Sequence, residues 1–150
     1  MRLRMKKNYE KQERYALLKA KLSRALKNGF WFEALMIEYA IAEDRTSSIL
    51  FYANVSDNAY SHSKKLSNKL NSIEYQIEKK HPIISKKVSL SLINDIKKWK
   101  DSRNELVHRA CNYYDEESAQ VIATEGAILV KNLSNDSAKV TRASKATEDK

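Results

Sequence analysis

Arg103, Asn104 and His108 are the residues of this chain best suited to chemistry, and all three lie in the stretch "WKDSRNELVHRACNYY", residues 99–114. Arginine forks onto phosphate oxygens and keeps its charge. Histidine titrates near neutral pH and can give or take a proton. Asparagine can orient the histidine or a ligand by hydrogen bonding. These types suit phosphodiester chemistry, and none of them calls for a metal or an organic cofactor.

Their spacing sharpens the point. Leu92, Ile96, Trp99, Arg103, Leu106, Ala110 and Tyr113 recur in steps of four and three, the period of one helix face. Arg103 therefore takes a place where an apolar residue is expected. A buried arginine without an anion costs several kcal/mol, so this position predicts an internal carboxylate partner or a wet groove. His108 follows about 140° further round an ideal helix. Asn104, four residues before His108, is stacked on the same flank. The three side chains can converge on a polar cleft at the border of the stripe. The plainer reading is a helix end, where Arg and His complement the macrodipole, with Glu105 and Arg109 as an ordinary surface pair.

The elements that must hold these residues are helices. The chain has 150 residues, enough for one domain with a core. Two glycines and one proline are too few for the turns of an all-β fold. The first helix is expected over 6–28, with Tyr15, Leu18, Leu22 and Ala25 as its stripe and Gly29 as its cap. Residues 30–53 are apolar on two adjacent rows, which predicts a central helix or one at a subunit interface. Glu38 and Arg45 interrupt one of those rows, and Asp44 lies beside them. A loop, "VSDNAYSHS", leads to a third helix at about 61–80, ended by His81 and Pro82. The fourth helix starts at Ser89 or Ser91 and reaches Asn112. The fifth starts from Asp115, a good amino-terminal cap. Gly126 sits on its stripe and weakens it by about 1 kcal/mol, so close approach of another helix is expected there. The expected architecture is all-α, a compact bundle of four to five helices over residues 1–133. Residues 134–150 lose the pattern and are expected to be a frayed or disordered polar tail.

The net charge of +9 is uneven. Residues 1–29 hold ten Lys and Arg against two Glu, so nearly all the excess lies on the first helix. Such a strip attracts polyanions. Lys6, Lys7, Lys11, Arg14 and Lys21 are the candidate nucleic-acid-binding residues, unless the strip is simply a solvated face. Cys111 is the single cysteine, compatible with a reducing compartment. No apolar run approaches the roughly 18 residues of a membrane span, so a cytoplasmic protein is expected. His62 reads as a loop residue and His81 as a turn residue, and no histidine or cysteine has zinc-ligand spacing. Trp31 and Trp99 read as core or dimer-interface anchors.

With these residues in view, "SRNELVH" resembles the signature of HEPN domains (higher eukaryotes and prokaryotes nucleotide-binding). That signature is an arginine, four to six residues, then a histidine, with a polar residue often following the arginine. The upstream "FEALMIEYAIAEDRTSSIL" resembles the long second helix of such domains, and the likeness spans about residues 10–132. The resemblance implies a metal-independent endoribonuclease acting as a homodimer whose two motifs meet in one cleft. It implies roles of the toxin, antiviral-defence or RNA-processing kind, RNA as substrate, and an antitoxin or other protein as a further partner. His108 would be the acid or base at the ribose 2′-hydroxyl, and Arg103 would hold the phosphate. Asn104 would position His108 or the backbone, and Glu38 or Asp44 would pair with Arg103. The rival expectation is a non-catalytic module of the same fold that binds a nucleotide, nucleic acid or protein, with Arg103 in a structural salt bridge. A third is a helical DNA-binding or phage-type accessory factor.

Overall fold

The computed structural model describes residues 2–55 and 65–148, with side chains from residue 9 onward. The described residues form helices and their connections, with no strand among them. In chain order the helices are α1 (Arg2–Asn28), α2 (Trp31–Tyr52), α3 (Leu66–Glu78), the single turn α4 (Ile84–Lys87), α5 (Leu90–Arg109) and α6 (Glu116–Glu148). The chain forms the all-helical bundle expected, with six helices among the described residues where four to five were expected; the additional one is the single turn α4. The loop after Val55, including His62, lies outside the described residues, as do the side chains of Lys6 and Lys7.

Local chemistry explains most of the boundaries. Gly29 has φ of 73°, and the Phe30 and Gly29 amides donate to the carbonyls of Ala25 and Leu26. That pair of bonds is the Schellman closure, which needs a left-handed residue and so favours glycine. The same closure ends α2 at Asn54 and α3 at Lys80, with φ of 56° and 59°. The Ser89 hydroxyl caps α5 by accepting from the Leu92 amide. Asp115 caps α6 by accepting from the Glu117 amide and the Ser118 hydroxyl. His81 is a turn residue with a job: its Nδ1 accepts from the amides of Ile83 and Ile84 at 3.2 Å and so starts α4.

α2 is the central helix. It packs most extensively on α6 and also meets α1, α3 and α5. Leu35, Ile49 and Leu50 of α2 are fully buried with Leu70 and Ile73 of α3, Ile96 of α5 and Leu133 of α6. Each such side chain contributes about 1.5–3 kcal/mol of burial, which is why the helix with apolar residues over the widest arc lies in the middle. Trp99 is also core, and its indole N–H donates to the Ile122 carbonyl at 3.0 Å.

Gly126 lets α6 approach α2 and α5. A Cβ there would stand 2.6 Å from Trp99 Nε1 and clash with the Glu38 carboxyl. The helix–helix approach expected at this glycine is therefore real, and the residues it accommodates are an acid and an indole.

One expectation fails. Residues 134–148 are not a frayed tail: α6 continues to Glu148. Ser137 and Val140 are buried, the Tyr15 hydroxyl is 2.6 Å from Ser134 Oγ, and the Ser89 amide donates to Asp136. The small-residue row Ala119, Ala123, Gly126, Val130, Leu133, Ser137, Val140 keeps steps of four and three throughout. Its last turns pack against neighbours even though a serine interrupts their apolar character.

Candidate functional site

Arg103 leaves α5 on its buried side and is 9% exposed. Its guanidinium lies 4.2 Å over the Tyr39 ring, a cation–π stack. Nη1 donates to Asn104 Oδ1 at 3.0 Å, and Nη2 is 3.0 Å from the Met36 sulfur. Nε is buried with no acceptor among the described residues. No carboxylate forms an ion pair with it among the described residues. Burial pulls the guanidinium below its usual range, while the nearby Tyr39 hydroxyl and Glu43 carboxylate act in the opposite direction. Arginine still stays cationic. The site thus holds a shielded positive charge that a ring and a sulfur solvate only in part.

The acids expected to balance it are elsewhere. Glu38 comes two residues after Met36, about 200° round α2, so it turns toward α6 while Met36 and Tyr39 face α5. It is fully buried against Gly126 and Trp99. Neither carboxyl oxygen has a hydrogen bond, and burial pushes its pKa up to about 9. Glu38 is therefore a neutral acid in the core at pH 7, not the partner of Arg103. Asp44 is not the partner either. It accepts from Arg45 Nε at 2.9 Å and pairs with Lys11 at 3.4 Å. Burial alone would raise its pKa, but the hydrogen bond and charge of Arg45, joined by Lys11, hold it below the usual carboxylate range.

His108 stands in the last turn of α5, exposed to solvent, and its side chain has no hydrogen bond among the described residues. Asn104 spends its carbonyl on Arg103 and not on His108. Of the expected trio, the chain brings Arg103 and Asn104 together and leaves the histidine apart. A groove of about 300 Å³ lies beside this part of α5, walled by Glu105, Arg109, Tyr113 and Asp115. It includes neither Arg103 nor His108.

An exposed apolar edge flanks the arginine. Met36 is 46% exposed and Phe32, one turn earlier on α2, 39%. The Phe32 ring meets Tyr114 edge-on at 6.4 Å. Tyr39 and Met36, the residues that hold Arg103, carried no sequence signal of that role, because only the packing of α2 on α5 brings them there.

Among the basic candidates, Lys11, Arg14 and Lys21 are exposed on α1. Lys11 lines a second groove together with Arg45, Arg142 and Lys145. The last two were hidden in the supposed tail. The row of small residues running on through Ser137 to Val140 was the signal that could have found them.

Among the described residues, no helix is long and apolar enough to cross a membrane, and no group of three or more His, Cys, Asp or Glu could hold a metal ion. No protein-family model, curated protein or solved structure matches the chain.

Proposed function

We propose that this protein is a metal-independent endoribonuclease of the HEPN type, working in the cytoplasm as a homodimer. The observation that carries this reading is the Arg103 guanidinium, buried on a helix stripe with no carboxylate in direct contact among the described residues, only the charge of Glu43 further off. An RNA phosphate would supply the missing anion through a bidentate contact. His108 of the same chain makes no contact with the arginine, so the site needs a second copy. The exposed edge of Phe32, Met36 and Tyr114 is an apolar seam on which that copy can dock. His108 of each subunit then faces the shared cleft.

In the reaction, one histidine takes the proton of the ribose 2′-hydroxyl. The 2′-oxygen attacks the phosphorus, the bond to the 5′-oxygen breaks, and that oxygen leaves with a proton from a second acid, for which the other subunit's histidine is the natural source. The products are a 2′,3′-cyclic phosphate and a 5′-hydroxyl. Arg103 holds the phosphate and stabilises the charge that grows on it, and Asn104 fixes the guanidinium plane. Such an activity suits a toxin or antiviral factor restrained by a protein partner.

The test is incubation of pure protein with RNA in EDTA, followed by end-group analysis, on wild type, His108→Ala and Arg103→Ala. Cyclic phosphate ends made by wild type and lost in both variants are the expected result. Undiminished cleavage by both variants would sink the reading.

A second reading has its own support. Arg103 already uses Asn104, Met36 and Tyr39, as a structural arginine would. The protein is then a non-catalytic module of this fold, binding a nucleotide, nucleic acid or protein. In that case Arg103→Ala lowers stability, His108→Ala changes nothing, and wild type leaves RNA intact.

A further inference from the structure

A groove of about 350 Å³ lies between α1, the end of α2 and the end of α6. Lys11 and Tyr15 come from α1, Arg45 and Tyr52 from α2, Arg142 and Lys145 from α6. Cations from three helices converge here, on residues far apart in the chain. Asp44 is the acid beside them, already held by Lys11 and Arg45.

The groove is ordered before any ligand enters. The Arg45 guanidinium lies 4.5 Å over the Tyr15 ring, and its side chain is only 18% exposed. The Tyr15 hydroxyl is in turn tied to Ser134 of α6. Lys11, Arg142 and Lys145 are exposed at the rim. A solvated helix face has neither a stacked arginine at its base nor walls from two other helices.

We propose that this groove binds a nucleoside phosphate, with the cations around the phosphate and the tyrosine walls against the sugar and base. Arginine forks match phosphate oxygens better than a point charge does, and pockets of this volume hold one small-molecule-sized group. The same chemistry is met by one nucleotide of an RNA strand or by a free mononucleotide. Arg45, Ser48 and Tyr52 leave α2 roughly 120–180° round the helix from Met36, so the groove and Arg103 lie on different sides of α2. A strand held here is anchored away from the place of cleavage. The groove goes beyond the nuclease reading and does not require His108.

The test uses the full-length protein carrying His108→Ala, so that cleavage does not intrude, and a fluorescein-labelled oligouridylate followed by polarisation from about 50 to 200 mM salt. Arg142→Ala with Lys145→Ala should lower affinity at least ten-fold. It should also flatten the log–log salt slope by about 1.4, two contacts at roughly 0.7 each on a single strand. Lys86→Ala with Lys87→Ala, exposed lysines on α4, should change neither. Equal losses in both double variants, or none in the first, overturn the groove. Displacement of the oligonucleotide by uridine monophosphate assigns the site to a free nucleotide, and persistence of the complex assigns it to a strand. Displacement by oligoglutamate as readily as by oligouridylate overturns the phosphate assignment. If wild type fails to cut RNA while the groove variants still lose binding, only the nuclease reading fails.

Discussion

The two arginines that stack on tyrosines among the described residues make an instructive pair. Arg103 lies 4.2 Å over Tyr39, and Arg45 lies 4.5 Å over Tyr15. Arg45 has Asp44 beside it and opens onto a groove with three further cations. Arg103 has no acid in contact among the described residues, only the charge of Glu43 nearby; it sits beside the Met36 sulfur and keeps one N–H without an acceptor. The same stack therefore serves two different electrostatic states. One charge is shared within the chain and available for recognition. The other has no acid in contact and gains most from an incoming anion. Burial makes that difference matter, since an unpaired buried charge costs several kcal/mol while a pair near the surface is worth at most about 1.

The largest expected effect tests that contrast through activity. Arg103→Met keeps most of the volume and removes the charge. It should lower RNA cleavage by about 10²–10³-fold, in the range seen when a transition-state hydrogen-bond donor is removed. Denaturant midpoints should rise or stay level, because apolar replacement of a buried charge is often stabilising. Arg45→Met should change cleavage at saturating RNA less than about three-fold, as a recognition residue would. Equal activity losses in the two variants would erase the distinction between the sites.

Glu38 sharpens the comparison next, since it is the acid that position on α2 first assigns to Arg103. Its pKa in the folded protein is about 9, above its unfolded value near 4.5. A raised acid favours the folded state fully below the unfolded pKa, and that contribution is lost as pH rises toward 9. The slope is about 1.4 kcal/mol per pH unit, roughly 3 kcal/mol by pH 7. Urea unfolding of wild type should show this decline between pH 5 and 9. Glu38→Gln should flatten it and leave cleavage unchanged. A variant that loses cleavage and stability together would mean that Glu38 does serve Arg103.

Gly126→Ala comes third. The added methyl meets Trp99 and Glu38 and should cost about 2 kcal/mol by overpacking, more than the roughly 1 kcal/mol of helix propensity it gains. A stabilised variant, read by thermal unfolding, would show that α6 does not press on α2 here. Asp44→Asn should have the smallest effect, under about 1 kcal/mol, because the pair it breaks is partly exposed. It should tighten oligouridylate binding at low salt by removing the negative charge that pairs with Lys11 and Arg45. Weaker binding would mean that Asp44 positions Arg45 for the ligand.

Much of the frame was legible beforehand, and particular residues show why. Gly29 and Asp115 act through their own backbones and neighbours a few residues away, so their caps could be read directly, while the start of α5 was left between Ser89 and Ser91 until the Ser89 cap settled it. The placement of Gly126 on an apolar row announced a close approach. The end of α6 was missed because Ser137 breaks the apolar row, although the spacing continues and the turns are held by Tyr15 and Ser89 from elsewhere in the chain. The pairing of Arg103 with Glu38 or Asp44 failed for a related reason. Sequence distance says which side of α2 each acid leaves from, but not which helix waits there.

What the sequence determined by itself was local: helices, their caps, an arginine on a stripe and a basic first segment. These follow from periods of three and four residues and from hydrogen bonds within a turn. Tertiary structure decided the partners. It set Tyr39 and Met36 under one guanidinium, buried Glu38 against Gly126 and left it neutral, and gathered Lys11, Arg45, Arg142 and Lys145 into one groove. Charge balance and burial depend on which helix faces meet, and that depends on packing across the whole chain.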